Sequence, residues 1–162
     1  MQPDPQIVQA MQAIPWFREL EPDMFNKLAE IADVVELDKG KSLFHEGDNE
    51  DFIYVVINGR IALELFVPGR GRVRIETVEP LDLVGWSSIT PVVRQRTAGA
   101  RAVLDSRLIC LNAEQLRILC DEDHDLGYII MSRIANIVAG RLMGTRLQLL
   151  DIFASPEVSH VE

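Results

Sequence analysis

The chain has 162 residues, of which 48% are hydrophobic and 25% are charged. This length and composition suit one soluble domain with a sizeable core and are short for two domains. The 16 lysines and arginines are outnumbered by 25 aspartates and glutamates, which gives a formal net charge of -9. Because that charge repels phosphate backbones, it argues against nucleic-acid binding through a broad surface, and any anion has to be bound by a local cluster of arginines.

The cysteines and the amino terminus indicate the compartment. Cys110 and Cys120 lack the number and spacing of zinc or iron–sulfur ligands, so we expect two buried thiols in a reducing compartment. The amino terminus, MQPDPQIVQAMQAIPWF, has acidic and proline residues where a signal peptide needs a basic start. No apolar run approaches the length of about 18 residues that a membrane span requires. We therefore expect a cytoplasmic protein without a membrane segment.

Two short helices are predicted at the start of the chain. Ile7, Met11 and Ile14 recur at spacings of four and three, which indicates a helix over residues 5–14. The segment EPDMFNKLAEIA, residues 21–32, has acidic residues and a proline in its first turn and an apolar face. It is predicted to form the second helix.

From residue 33 to 112 the pattern changes to short apolar runs separated by turn residues. Glycine, asparagine and aspartate in these separators adopt the positive φ angles of tight turns. Asn58-Gly59 lies between two apolar runs and predicts a hairpin. Eight strands at this spacing indicate an all-β sandwich, roll or barrel. The runs are DVVELDKG, KSLFHEGD, FIYVVINGR, IALELFV, RVRIETV, LDLVG, RAVL and SRLICL.

Helical periodicity returns after residue 112. Asn112 is predicted to cap a helix that contains NAEQLRILC, and a long helix is predicted from about Asp125 to Phe153. We expect one domain that consists of amino-terminal helices (1–32), a β region (33–112), carboxy-terminal helices (113–153) and a polar tail (154–162).

The long helix carries two apolar stripes. Ile130, Ile134 and Ile137 form one stripe, which we expect to cover the β region. The second stripe has the 4-3-4-3 spacing of a coiled-coil seam. A single broad stripe on one buried helix is the alternative, but two apolar faces on one terminal helix need two partners, so we favour a homodimer through residues 125–153. The seam residues are Met131, Ala135, Val138, Leu142, Thr145, Leu149 and Ile152.

The segment GWSSITPVVRQRTAGARA, residues 85–102, completes a pattern that resembles the cyclic nucleotide-binding domain family, in the version found in catabolite-activator-type regulators. Upstream, KGKSLFHEGDNEDFIYVVINGRIAL matches the family's glycines at Gly40, Gly47 and Gly59. The resemblance covers about residues 14–153. It implies a mainly β fold with flanking α-helices: an eight-stranded double-stranded β-helix, that is, a jelly-roll-like β-roll, followed by the long helix. Residues 85–102 match the family's phosphate-binding cassette without a gap, and we call them the cassette.

The resemblance assigns the phosphate-binding residues. A cyclic phosphodiester has one negative charge and two free oxygens, which suit a guanidinium fork with short hydroxyl and amide donors. Arg96 and Thr97 stand where the family binds the phosphate. Ser87, Ser88 and Ile89 open a short helix, and the amides from Gly85 to Ser88 would face an anion. The alternative for Arg96 is a solvated surface arginine. Arg94, in the variable part of the cassette, either faces water or adds positive potential, and Pro91 is expected to end the short helix.

The second cassette residue departs from the family. The family motif usually begins Gly-Glu, and the glutamate accepts hydrogen bonds from the ribose 2′-hydroxyl, whereas this chain has Trp86, whose indole can only donate. Losing that bond removes about 1.5 to 3 kcal/mol, which lowers affinity about ten- to a hundredfold. Trp86 could fill the pocket and abolish binding, stack on the ring of a different ligand, or pack into the core while Ser87 or Ser88 meets the ribose.

Two residues of the long helix complete the implied site. An ungapped match places Thr145 where catabolite-activator proteins contact the adenine, and Arg141 where an arginine pairs with the glutamate that is missing here. Arg141 is therefore expected to meet a more acidic ligand or another carboxylate. The alternative for Arg141 is a solvated arginine on the helix surface. The alternative for Thr145 is a polar residue that the dimer seam tolerates.

These features favour a non-catalytic, ligand-sensing regulatory module. Only His45 lies in the β region, and no catalytic or metal-binding motif is present, so we expect neither an enzyme nor a metal or other cofactor. The chain stops within ten residues of Phe153, where DNA-binding relatives continue, so we expect a stand-alone module that does not bind DNA. An anionic nucleotide, cAMP or cGMP, would shift the helix at Gly140 and Gly144. The alternative is a ligand-free β-roll that serves protein interaction or dimerisation.

Overall fold

The structure, a computed structural model, describes residues 3–90, 92, 93 and 95–154. In this part of the chain, helices at both ends enclose a set of short strands. The helices are α1 (Pro5–Gln12), α2 (Pro15–Arg18), α3 (Pro22–Glu30), α4 (Ala113–Glu122) and α5 (His124–Ala154), with a 3-10 helix at Trp86–Ile89. The strands are β1 (Ala32–Leu37), β2 (Ser42–Phe44), β3 (Phe52–Asn58), β4 (Ile61–Val67), β5 (Gly71–Val78), β6 (Leu83–Val84), β7 (Gly99–Ala102) and β8 (Ser106–Asn112).

The eight predicted strands are confirmed in order, and they form two antiparallel sheets. Sheet A has the order β1-β8-β3-β6, and sheet B has the order β2-β7-β4-β5. Neighbours in each sheet are mostly distant in sequence, because the chain passes repeatedly from one sheet to the other, as expected for a β-roll. The fold is therefore the predicted mainly β roll with flanking helices.

Sheet A is covered on both faces, which explains why β3 is buried at four consecutive positions. Ile53 and Val55 belong to an outer core between sheet A and the helices. Tyr54 and Val56 belong to an inner core between the two sheets. Successive strand residues point to opposite faces, so one apolar run supplies both cores.

The hairpin predicted at Asn58-Gly59 is wrong, although the turn exists. Gly59 has φ 88, but β3 lies in sheet A and β4 in sheet B, so the turn passes between sheets. A side chain at Gly59 would lie 2.2 Å from the Ser106 Oγ, so glycine is required there by space as well as by conformation. Sequence pattern alone does not distinguish a turn within a sheet from one between sheets. The hairpin partner of β4 is β5, which pairs Val67 with Gly71.

The amino-terminal helices differ from the prediction in one respect. The predicted helix over residues 5–14 ends at Gln12, and a separate turn, α2, begins at Pro15. Proline lacks the N–H that a continuous helix needs but suits a first helical position, so it divides the segment into two helices. The predicted Asn112 cap of α4 is confirmed, because its side chain accepts a hydrogen bond from the Gln115 amide at 2.9 Å.

The first half of α5 packs on the roll and the second half is mostly exposed. Ile130 and Ile134 are buried in the outer core and Ile137 packs against it, as predicted. The residues of the predicted seam are exposed or half-buried, and Leu149 and Ile152 are 49% and 69% exposed. The helix therefore presents an apolar face that the other described residues leave uncovered.

By length and composition alone, α5 could also cross a membrane, with a mean hydropathy of 1.2 over its most apolar stretch. The sequence-based expectation is that no apolar run approaches the length of a membrane span. That expectation counts consecutive apolar residues, whereas mean hydropathy is an average that tolerates polar residues within the stretch. Core helices of soluble proteins meet the same criterion, and α5 packs on sheet A through its first half.

Candidate functional site

The cassette begins where β6 ends at the rim of the roll. Gly85 follows β6 with φ 84 and caps the 3-10 helix that starts at Trp86. A side chain at Gly85 would lie 2.5 Å from Nη1 of Arg96 and 3.1 Å from the Phe52 carbonyl oxygen. Glycine is therefore needed both for the left-handed backbone and for the close approach of Arg96.

A cavity of about 30 Å³ lies between the cassette, Phe44, Leu63 and Arg141. We call it the cassette cavity. Most of the predicted site residues line it, so the cassette and the long helix meet at this cavity. They are Gly85, Trp86, Ser87, Arg96, Thr97 and Arg141.

Arg96 is the central side chain of this cavity, and it points inward. Its side chain is 1% exposed, Nη1 donates to the Gly85 carbonyl at 2.9 Å, and Nη2 donates to the Phe52 carbonyl at 2.6 Å. Its guanidinium carbon lies 4.1 Å from the centre of the Phe44 ring, which is cation–π distance. The alternative of a solvated surface arginine is thus wrong.

The charge of Arg96 has little compensation from its surroundings. The Glu50 carboxylate lies 3.9 Å from Nη2, at the limit of an ion pair. Nε is buried and has no hydrogen-bond partner among the described residues. Burial is the main cause that lowers the pKa of Arg96, and Tyr54 and Glu50 oppose it. A buried guanidinium with an unsatisfied N–H is a site where an anion would be stabilised.

Some hydroxyl residues of the cassette line the cavity, and one instead holds the 3-10 helix in place. Ser87 is buried and lines the cavity, and Thr97 lines it while remaining largely exposed. The Ser88 side chain instead lies within hydrogen-bond distance of the Glu50 and Phe52 carbonyls, at 3.0 and 2.7 Å. The Ser88 amide donates to the Gly85 carbonyl at 3.2 Å. Ser88 therefore fixes the 3-10 helix to β3 rather than facing the cavity.

Trp86 has two environments. It is half-buried and packs against the outer core, and it also lines the cassette cavity. The packing agrees with the interpretation of Trp86 as a core residue. The contact with the cavity keeps one part of the indole next to any ligand that entered.

Arg141 meets carboxylates, as expected from the absence of its usual glutamate partner. Nε donates to Glu76 at 3.2 Å, and Nη2 lies 3.7 Å from the Asp82 carboxylate. Nη2 also donates to the Leu83 carbonyl. Arg141 therefore ties α5 to β5 and to β6, the strand before the cassette.

Thr145 does not reach the cassette cavity. Its hydroxyl donates to the Arg141 carbonyl one turn earlier, at 3.0 Å, and the residue is exposed. It borders a separate groove of about 320 Å³ between α5 and β5, together with Gly140 and Gly144. Among the described residues, a side chain at either glycine would have no atom within 4 Å, so close packing against them does not require glycine at either position.

The sequence did not indicate several groups that shape the site. Phe44 stacks on Arg96, and the Phe52 carbonyl is one of its acceptors. Glu76 and Asp82 bind Arg141. The alternation of β2 could have placed Phe44 inward, but a backbone carbonyl leaves no trace in the side-chain pattern. Arg94 and Pro91 lie outside the described residues.

Two further predictions concern sulfur and metal. Cys110 is buried and Cys120 half-buried, and both thiols are free. Burial raises the pKa of Cys110 to about 11, which keeps the thiol protonated. Among the described residues, no group of three or more His, Cys, Asp or Glu side chains is placed to hold a metal ion.

Comparison with known proteins gives a consistent family assignment. The family model of the cyclic nucleotide-binding domain matches residues 34–123, which is more than half of the 162 residues. A curated relative, the CRP-like cAMP-activated global transcriptional regulator of Mycobacterium tuberculosis, is 26% identical over 137 residues. That match covers 84% of this chain and 58% of the relative, so the chain spans less than two thirds of the protein it matches.

Solved structures agree in fold. The catabolite activator protein of Thermus thermophilus matches with a TM-score of 0.68 and 25% identity, over 86% of this chain and 63% of that one. A cyclic nucleotide-binding domain from Methylobacillus flagellatus matches with a TM-score of 0.76 over 94% of this chain and 85% of that one. Its identity of 18% supports the fold alone.

Proposed function

The chain belongs to the cyclic nucleotide-binding domain family, and from this premise we propose that it is a non-catalytic regulatory module that senses an anionic nucleotide. The cassette cavity is the ligand site. Arg96 and Thr97 bind the phosphate, and Gly85 and Ser87 contribute backbone amides. The candidates for the ligand are cAMP and cGMP, and the cAMP-activated relative favours cAMP.

The observation that carries this proposal is the uncompensated charge of Arg96. The guanidinium is buried, its Nε has no partner among the described residues, and the Glu50 carboxylate stays 3.9 Å away. Burying an arginine without a close counter-ion is costly. A ligand phosphate would supply both the missing charge and an acceptor for Nε, with charge-assisted hydrogen bonds of about 1.5 to 3 kcal/mol each.

Binding requires the cassette to open. A cavity of about 30 Å³ is far below the roughly 300 Å³ of the smallest common ligand pockets. A nucleotide must therefore displace the stacked Phe44 or the side of Trp86 that borders the cavity. Part of the binding energy is consumed by this opening, and without the glutamate at position 86 the ribose loses its usual acceptor. We expect weaker binding than in relatives that retain the glutamate.

We propose that the output passes through α5. The uncovered seam of that helix suits a homodimer through residues 125–153, and Arg141 links the helix to the strand before the cassette. Leu149→Glu places a charge in the seam, whereas Leu147→Glu changes a residue that is 55% exposed and off the seam. In sedimentation at tens of micromolar, Leu149→Glu should give monomer and Leu147→Glu should stay dimeric. A monomeric wild-type chain would contradict the dimer.

A thermal-shift screen with cAMP and cGMP tests the sensing proposal. A ligand at about 100 times its Kd stabilises the folded state by about 2.7 kcal/mol, which raises the Tm by several degrees for a domain of this size. Arg96→Lys should lose the ligand-induced shift, and Arg70→Ala, which changes an exposed turn arginine, should keep it. The shift, rather than the Tm itself, is compared between variants, because Arg96 also stabilises the fold.

The second candidate function is a ligand-free interaction module, and a specific observation favours it. Both terminal nitrogens of Arg96 are bonded to carbonyls of the chain itself, and the cavity measures only about 30 Å³. In this case the cassette is a closed structural unit and only the α5 surface acts. The absence of any shift at millimolar cAMP or cGMP would favour this candidate over sensing.

Location and organisation follow from the same proposal. We infer a single domain within residues 1–162 that works in the cytoplasm. No cofactor is invoked beyond the nucleotide ligand. The relatives support the regulatory class, since the curated match is a transcriptional regulator.

A further inference from the structure

A second cavity lies on the opposite side of sheet A from the roll interior. It has a volume of about 380 Å³ and lies between sheet A, α2 and α5, and we call it the α2–α5 pocket. Its walls are predominantly apolar, and they come from elements that are far apart in the sequence. The principal wall residues are Trp16, Ile53, Leu83, Leu116, Ile130 and Ile134.

The α2–α5 pocket is separate from the cassette cavity because of strand alternation. Ile53 and Val55 of β3 face the pocket, whereas Tyr54 between them belongs to the inner core of the roll. Sheet A therefore forms a wall between the two cavities. A volume of about 380 Å³ falls at the lower end of the range of about 300 to 1,000 Å³ that small-molecule pockets occupy.

Among the described residues, one cationic side chain borders this apolar space. Arg133 lies on α5, its guanidinium carbon is 5.1 Å from the centre of the Trp16 ring, and its Nε is buried without a partner among the described residues. Its other contact is a hydrogen bond from Nη2 to Glu19 at 3.2 Å. Glu19 is 68% exposed, and surface ion pairs of this kind contribute only about 0 to 1 kcal/mol. A ligand carboxylate can therefore replace Glu19 at small cost.

The acidic group of the pocket is already neutralised elsewhere. The Asp82 carboxylate accepts a hydrogen bond from the Leu83 amide at 2.7 Å and lies 3.7 Å from Arg141. The Asp82 carboxylate is therefore held by contacts with β6 and Arg141. Asn136 adds an uncharged polar group to the lining. Within the pocket, Arg133 is the cation with an unsatisfied N–H, which gives the site a preference for an anionic group.

We propose that the α2–α5 pocket binds a small apolar monocarboxylic acid. The hydrocarbon part lies among Ile53, Ile130 and Ile134, where burial provides the main driving force. The carboxylate lies at Arg133 and accepts from Nε and a terminal nitrogen, the two-bond geometry that guanidinium and carboxylate groups favour. This site is distinct from the nucleotide site and does not depend on whether a nucleotide binds.

Methyl NMR with decanoate tests the proposal on the intact chain. In protein with ¹³C-labelled isoleucine methyl groups, decanoate below its micelle concentration should shift the signals of Ile53, Ile130 and Ile134 saturably. The signals of Ile61, in the inner core, and Ile75, on β5, should stay in place. No saturable shift, or shifts confined to the exposed end of α5, would overturn the pocket.

Two variants test the role of the charge. Arg133→Gln should weaken decanoate about tenfold or more, as expected for the loss of a charge-assisted hydrogen bond. Arg146→Gln, a change at an exposed position of the same helix, should leave the affinity unchanged. Decanol, which has the same chain and no charge, should bind wild type and Arg133→Gln equally. Equal decanoate affinity for Arg133→Gln and Arg146→Gln would overturn the assignment of the carboxylate to Arg133.

Discussion

Arg96 and Arg141 border the same cavity but differ in how the chain neutralises them. Arg141 donates to Glu76 at 3.2 Å and lies 3.7 Å from Asp82. Arg96 donates to two backbone carbonyls, and its ion-pair partner among the described residues is the Glu50 carboxylate, at 3.9 Å. In this chain, which has Trp86 in the cassette, Arg141 is therefore neutralised by the carboxylates of Glu76 and Asp82. Arg96 is left as the buried cation with an unsatisfied N–H, and this difference is why we place the anion there.

The largest expected effect is on stability, at Arg96. Arg96→Ala removes the donors to the Gly85 and Phe52 carbonyls and leaves a void beside Phe44. We expect a loss of about 3 kcal/mol in the free energy of unfolding, because two hydrogen bonds from a charged donor, each worth about 1.5 to 3 kcal/mol, are lost and a void remains. Urea denaturation measures it. A loss below about 1 kcal/mol would mean that Arg96 is not held as described.

Gly85→Ala should have a smaller but clear effect. The added methyl group would lie 2.5 Å from Arg96 Nη1, in a residue with φ 84. Gly69→Ala is the matched control, because Gly69 has φ 81 and open space around it. We expect losses of about 2 kcal/mol for Gly85→Ala and about 1 kcal/mol for Gly69→Ala, where only backbone strain contributes. Equal losses in the two variants would show that the contact with Arg96 is unimportant.

The smallest effect is expected at Arg141. Arg141→Ala breaks partly exposed contacts with Glu76 and Asp82, so it should cost about 1 kcal/mol. Arg60→Ala, which breaks the exposed pair with Glu79, should cost less than about 0.5 kcal/mol. Calorimetric titration with cAMP or cGMP should show that Arg141→Ala changes the nucleotide affinity far less than Arg96→Lys does. The reverse order would move the anion site to Arg141.

Much of the fold was predictable from local patterns. The eight apolar runs became eight strands, and Asn112 caps α4 as its position suggested. Pro15 divides the first helical segment, and Gly59 turns the chain between sheets rather than within one. These two differences arise because a turn signal marks where the chain bends but not which strand it pairs with afterwards.

The candidate site was predictable only in part. The cassette residues Gly85, Ser87, Arg96 and Thr97 share one cavity, as their resemblance to the family implied. The carboxylates that bind Arg141 are 65 and 59 residues away in the sequence, at Glu76 and Asp82. Contacts of that separation depend on the packing of α5 against β5 and β6. The closure of the cavity likewise depends on backbone carbonyls and cannot be read from residue types.

The most direct test of the account follows the Nε–H signals of Arg96 and Arg141 by ¹⁵N NMR during titration with cAMP and with cGMP. The Arg96 signal is assigned by its absence in Arg96→Lys. The account predicts that this signal shifts saturably as Nε gains a phosphate acceptor, while the Arg141 signal, already bonded to Glu76, moves little. An Arg96 signal that stays unchanged at millimolar concentrations of both nucleotides would contradict the account.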